Sequence, residues 1–210
     1  MLTCDELPVL IAVADYGFIG NRRKWIEVLH QFAPCSQTKH VAVQVRIKNS
    51  DEVEYLSLAQ QALDILGPNC RAILNGSSRY AQELGYWGAH LPQREIQNES
   101  TSIGNLSFLS AAVHNLSELE IAQELPITAA LCSPVFSSSW KATRGIGLKR
   151  LRSLCHASSV PVFALGGVTP ANCGSCIDAG AHGIATLSGV MDTPDAASAI
   201  ELYLNSVSRQ

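Results

Sequence analysis

The feature that most constrains this chain is a repeated switch of hydrophobic period. Short apolar runs rich in β-branched residues alternate with longer segments whose apolar residues recur at helical spacing. The runs fall at Pro8–Ala14, His40–Lys48, Arg71–Asn75, Trp87–Leu91, Leu106–Val113, Ile127–Cys132, Pro161–Leu165 and Gly183–Leu187. Helical segments are expected between and after them, at Arg22–Phe32, Asp51–Leu66, Ser78–Leu84, a short stretch within Gln93–Ser102, Ser117 (as a cap) to Glu124, Leu148–Ala157, Pro170–Ala179 and Pro194–Ser206. Strand-then-helix units place their strands in parallel, and eight of them in 210 residues predict an α/β fold. The form expected is a single (β/α)8 TIM barrel domain over residues 1–210. An open doubly wound sheet usually has about five or six strands and a glycine-rich first turn, and neither feature is present.

Composition removes several function classes. Hydrophobic residues make up 47% and charged ones 16%, which a packed globular chain has and a disordered one lacks. The net charge is −3 and no Lys/Arg run occurs, so no nucleic-acid partner is expected. The longest apolar stretches are strand-sized and too short to span a bilayer, so no membrane association is expected either. Met1 to Glu6 carries no basic start and no apolar signal core, which predicts a cytoplasmic protein. Seven cysteines, an odd number, argue against a disulfide framework. Cys173 and Cys176 have redox or metal spacing, but no second Cys/His pair lies nearby. Thr169-Pro170 just ahead of them resembles a helix cap with proline in the first turn. Both thiols are expected to be structural.

In a barrel, residues at the C-terminal ends of strands line the active face. Gln44, Arg46 and Lys48 alternate along the second run and so share one side of it, with Val43, Val45 and Ile47 on the other. The apolar side faces helices, so the amide and the two cations face the lumen, where Arg with Lys suits a phosphate or diphosphate. Gly166-Gly167-Val168-Thr169-Pro170 joins a strand to a helix start, and Ser188-Gly189 follows the last strand. Phosphate sites in barrels frequently form after strands seven and eight, from free backbone N–H groups. Ser137 to Ser139 and Lys141 in the loop after the sixth strand can supply donors to a second anion, and taken alone they read equally as a flexible surface loop. Asn75 and His90 end the third and fourth strands, with Glu95 five residues beyond His90. A carboxylate beside two anion sites fits Mg²⁺. Asp15 reads equally as a second ligand or as a helix cap.

Taken together these stretches resemble the thiamine-phosphate synthase/TenI superfamily over about Pro8 to Ala199. Gln44-Val-Arg46-Ile-Lys48 is similar to the family's Gln-x-Arg-x-Lys. Asn75, followed by Gly88-Ala-His90-Leu-Pro-Gln93-Arg-Glu95, is similar to its Asn-Asp and Gly-Val-His-Leu-Gly-Gln-x-Asp. Pro134-Val-Phe with Lys141, Gly166-Gly167-Val168 and Leu187-Ser188-Gly189 resemble the later motifs, in the family's order. The resemblance implies a phosphorylated pyrimidine and a thiazole phosphate as substrates, joined with loss of diphosphate, and Mg²⁺ as cofactor. By the same resemblance, Gln44, Asn75 and His90 would contact the pyrimidine. Arg46, Lys48, Lys141 and Ser138 would hold its diphosphate, Glu95 the metal, and Gly167, Ser188 and Gly189 the thiazole phosphate.

The chain departs from the pattern at four places. Gly76 stands where the family's first metal-binding Asp is expected, Glu95 replaces the second, Ala112 replaces a serine, and Trp140 replaces a loop threonine. Two other readings keep the thiazole-phosphate site. One is a tautomerase, whose usual histidine position is here Pro134, leaving His114 or His90 as acid/base. The other is a barrel that binds a thiamine precursor without turnover.

Overall fold

The strand segments pair because their small and β-branched side chains tolerate burial on both faces. The computed structural model describes residues 3–96, 104–137 and 144–207. Its strands are β1 (Leu10–Asp15), β2 (Val41–Arg46), β3 (Arg71–Asn75), β4 (Gly88–Leu91), β5 (Phe108–Val113), β6 (Ala129–Cys132), β7 (Val162–Leu165) and β8 (Gly183–Thr186). Each pairs in parallel with the next, and β8 returns to β1 to close the barrel. All eight expected strands are present, and the fold is the (β/α)8 barrel anticipated from the period switching.

The helices are α1 (Tyr16–Ile19), α2 (Arg22–Cys35), α3 (Glu52–Leu66), α4 (Ser78–Leu84), α5 (Gln93–Ile96), α6 (Leu116–Ala122), α7 (Gly147–Ala157), α8 (Cys173–Asp178), α9 (Ser188–Met191) and α10 (Ala196–Val207). Two helix starts differ from expectation. The cap of α6 is Asn115, whose Oδ1 accepts from the Glu118 backbone N–H at 3.0 Å, so Ser117 lies inside the helix. Helix α8 begins at Cys173, later than Pro170. The reason is Asn172: its Oδ1 accepts from the Thr169 N–H at 2.7 Å and its Nδ2 donates to the Gly167 carbonyl at 3.0 Å. That side chain ties the preceding turn together and delays the helix by one turn.

Period-2 alternation divides the core in two. Outward residues such as Leu10, Val43, Val45, Leu74 and Ile184 pack under the helices. Inward residues Ile11, Ala42, Ile73, Phe108, Ala129, Leu131, Phe163 and Ala185 fill the lower lumen together with Leu7. Burying each large one contributes roughly 1.5–3 kcal/mol. Trp87 stacks on Phe108 beneath this layer (centroids 5.1 Å, interplanar 14°), and Arg71 lies over Trp87 at 5.1 Å. Arg71 also donates to the Lys39 carbonyl at 2.8 Å, so the base of the barrel is stoppered.

Cys173 and Cys176 are fully buried in the outer core, and burial pushes the Cys176 thiol up to about 12. Among the described residues no group of three or more His, Cys, Asp or Glu is placed to hold a metal ion. No described helix is long and apolar enough to cross a membrane.

Candidate functional site

With the base filled, the upper lumen opens as a cavity of about 530 Å³ at the C-terminal ends of the strands. Gln44, Arg46, Lys48, Asn75, His90, Gly167 and Ser188 all line it. Seven of the residues expected at the site thus share one mouth.

The floor is polar and partly unsatisfied. Gln44 is 2% exposed; its Oε1 accepts from Asn75 Nδ2 at 3.5 Å, while its Nε2 is a buried donor with no partner among the described residues. Such an amide costs roughly 1–3 kcal/mol until something accepts from it. Across the floor His90 Nδ1 lies 2.9 Å from Ser110 Oγ, on the adjoining strand and in register with it. Burial, with the charge of Arg46 adding to it, lowers the His90 pKa from 6.5 to about 3, so the imidazole is neutral. When Ser110 gives its proton to the Ala89 carbonyl (3.5 Å), it accepts from Nδ1–H, and Nε2 then presents a lone pair. A donor and an acceptor therefore both face the cavity floor.

Above it, β7 and β8 end in two adjoining turns. Gly166 and Gly167 have φ of +94° and +63°. A Cβ on Gly166 would stand 2.7 Å from Pro134 Cα, and one on Gly167 2.7 Å from the Ser137 carbonyl oxygen. The β6 loop presses on them because Val135 N–H donates to Leu165 O at 2.8 Å and Phe136 N–H to Gly166 O at 2.9 Å. Among the described residues nothing accepts from the backbone N–H groups of Gly167, Val168, Ser188 and Gly189. Four unused donors beside the Ser188 hydroxyl are of the kind that could receive a small anion.

Tyr203, from α10, holds the two turns together. Its hydroxyl donates to the Val168 carbonyl at 2.9 Å and accepts from Thr186 Oγ1 at 3.3 Å. A Cβ on Gly189 would lie 2.0 Å from that hydroxyl. Gly189 does not line the cavity; it is the close approach that lets Tyr203 reach both turns.

Asp15 is a cap and an ion-pair partner. Its Oδ1 accepts from the Phe18 N–H at 3.1 Å at the start of α1, and its Oδ2 pairs with Arg46 Nη1. Arg46 thus keeps one face toward the cavity while Asp15 fixes the guanidinium. At the cavity edge, His114 Nδ1 bonds to the Ser133 carbonyl, which orients its imidazole.

The residues present do not fit a two-carboxylate Mg²⁺ site. Glu95 does not line the cavity, and its Oε1 accepts from Arg94 Nε at 3.2 Å. Gly76 has φ +144°, and the space its Cβ would need holds the Tyr55 hydroxyl, 2.6 Å away. Ser138, Trp140 and Lys141 lie outside the described residues.

Ser110 was detectable in principle, since it lies two residues before Ala112 on the same lumen-facing side of β5. Tyr55 and Tyr203 carried no such signal. Each reaches the site from a helix distant in sequence: 20 residues separate Tyr55 from Asn75, and 35 separate Tyr203 from Val168.

Residues 10–190 match the model of the thiamine monophosphate synthase family. The thiamine-phosphate synthase of Koribacter versatilis (strain Ellin345) is 28% identical over 193 residues, covering 90% of this chain and 92% of that protein. A putative thiamine-phosphate synthase 2 of Aquifex aeolicus (strain VF5) is 30% identical over 187 residues, covering 87% and 97%. In fold, the chain superposes on the thiamine phosphate pyrophosphorylase of Pyrococcus furiosus with a TM-score of 0.75 at 21% identity, covering 97% and 96% of the two chains. With the match extending from the first strand to the turn after the last, the chain belongs to the thiamine monophosphate synthase family.

Proposed function

We propose that this chain is a thiamine-phosphate synthase, joining hydroxymethylpyrimidine diphosphate to a thiazole phosphate in thiamine biosynthesis. The observation that carries this reading is the orphan Gln44 amide beside neutral His90, on a floor that also opens to a cradle for a small anion. An aminopyrimidine offers a ring-nitrogen acceptor and an amino donor side by side. Gln44 Nε2 supplies the donor it needs, His90 Nε2 the acceptor, and Asn75 steadies the Gln44 amide. Arg46, Lys48, Lys141 and Ser138 face the diphosphate in this reading. Gly167, Ser188 and Gly189 receive the thiazole phosphate on their N–H groups.

In the reaction the bond between the pyrimidine methylene carbon and the diphosphate oxygen breaks, and its electron pair leaves with the diphosphate. The thiazole nitrogen lone pair then forms the new C–N bond to that carbon. Fixed cations lower the cost of the leaving charge, and two bound rings in one cavity remove the entropy of encounter. No covalent nucleophile is required. Glu95 is the carboxylate that the resemblance would assign to Mg²⁺, which when bound would help neutralise the leaving diphosphate. The whole of residues 1–210 acts as one barrel in this reading, and the seven free thiols suit the reducing cytoplasm.

The test is an end-point assay for thiamine phosphate and released diphosphate with both precursors, run with and without Mg²⁺. Stoichiometric product supports the synthase. Tight binding of both precursors with no product would instead support a precursor-binding barrel, the second reading, which the Tyr55 hydroxyl in the place of a carboxylate favours.

A further inference from the structure

We propose that the diphosphate side of this cavity works with side-chain cations alone and takes up no divalent cation. This rests on the synthase reading above and concerns how its leaving group is held. The departure begins in the backbone. At φ +144° Gly76 occupies a conformation that side chains rarely adopt, so a carboxylate there is strained before any neighbour is considered. The neighbour then excludes it: Tyr55 Oη stands 2.6 Å from the would-be Cβ. Gly76→Asp by itself drives its Cβ into that oxygen.

Tyr55 is a poor substitute for the missing ligand. Its hydroxyl donates to the Asn75 carbonyl at 3.0 Å, which commits the proton, and its ring packs against Tyr80 at 6.0 Å. Burial, followed by the nearby charge of Glu95, raises its pKa further, which keeps it a neutral phenol. Mg²⁺ holds to proteins through one or two carboxylates in near-octahedral geometry and surrenders its waters reluctantly.

Among the described residues, the other carboxylates around this rim are engaged. Asp15 pairs with Arg46, and Asp51 accepts from the Glu54 N–H at 2.9 Å at the start of α3. Glu52 accepts from the Tyr80 hydroxyl, and Glu95 accepts from Arg94. Arg94 moreover brings a guanidinium to Glu95, so a metal there would have to compete with an existing ion pair. Arg46 and Lys48 line the cavity itself. A diphosphate entering between them meets fixed cations and needs no bridging ion.

The experiment uses the full chain, with Mn²⁺ and inorganic diphosphate as probes. Mn²⁺ titrated into the protein is followed by its electron paramagnetic resonance spectrum, and diphosphate binding by calorimetry in EDTA and in excess Mg²⁺. The expected result is an undiminished free-Mn²⁺ signal and a diphosphate affinity in EDTA at least as high as in excess Mg²⁺, which ties up the free anion in solution. Bound Mn²⁺ that Glu95→Gln releases would overturn the proposal. So would an affinity about tenfold or more weaker in EDTA. Diphosphate that binds in neither medium refutes the cationic site together with the synthase reading. Binding in EDTA at least as tight as in Mg²⁺, without formation of thiamine phosphate, upholds the cationic site and removes only the synthase reading.

Discussion

Tyr203 and Gly189 should be coupled, and the coupling can be measured. The Tyr203 side chain is 2% exposed, and its hydroxyl serves Val168 and Thr186 at 2.9 and 3.3 Å. Tyr203→Phe leaves the Val168 carbonyl and the Thr186 hydroxyl without that partner, at a cost of about 2 kcal/mol. For a domain of this size that lowers Tm by about 4–8 °C. Gly189→Ala places a Cβ 2.0 Å from the same hydroxyl, an overpacking that costs roughly 1–3 kcal/mol. In the Tyr203→Phe background that contact is gone, although Thr186 Oγ1 at 2.8 Å and Tyr203 Cζ at 2.9 Å still crowd the methyl group. The alanine should therefore cost about 1 kcal/mol less in the Phe background than in wild type. Urea unfolding of the four proteins gives the cycle, repeated with inorganic phosphate to ask how firmly the anion cradle is held. Phosphate should stabilise the Phe variant less than wild type, because its two turns are no longer tied. Additivity within about 0.3–0.5 kcal/mol, with an unchanged phosphate response, would refute the idea that one hydroxyl organises both turns.

Three further outcomes follow from the same geometry. Gln44→Met removes a buried donor without a partner, so it should raise unfolding stability by up to about 1 kcal/mol while abolishing pyrimidine binding; denaturation and calorimetry read the two effects separately. His90 has a folded pKa near 3 against 6.5 unfolded, so between those values the unfolded chain binds the extra proton. Its contribution is complete above about pH 6.5 and is lost as pH falls toward 3, and His90→Gln should flatten the stability profile across that window. Cys173→Ala with Cys176→Ala should lower stability, because both thiols fill the outer core, yet leave phosphate binding unchanged; loss of binding would revive a chemical role for the pair.

The sequence was most legible where a single period governs. Alternation along β2 set Gln44, Arg46 and Lys48 against Val43, Val45 and Ile47, and the first three do line the cavity while the others join the outer core. Gly167 and Ser188 were legible as cavity residues because they follow β7 and β8 at the mouth of the barrel. What stayed hidden depends on tertiary approach. Ser110 lies one pleat below the position where a family serine was sought, and only the register of β4 with β5 brings it to His90. Gly76 reads in sequence as a missing acid. In the fold it is a residue whose conformation and neighbour both exclude an acid, and the neighbour, Tyr55, arrives from α3. Gly189 reads as part of the anion site, and nothing in the sequence shows that its lack of a side chain also makes room for Tyr203. Helix starts failed where a side chain was spent elsewhere, as Asn172 is on the turn before α8.

The stoppered base has a kinetic consequence. The Arg71, Trp87 and Phe108 stack, with the apolar layer above it, makes the barrel a blind tube with a single mouth. Whatever settles on the Gln44 and His90 floor must enter before anything that sits above it, and cannot escape until the upper occupant has gone. Two substrates sharing this tube would therefore show a compulsory order of addition. An excess of the upper ligand arriving first would act as a plug, visible as inhibition at high concentration of that ligand alone.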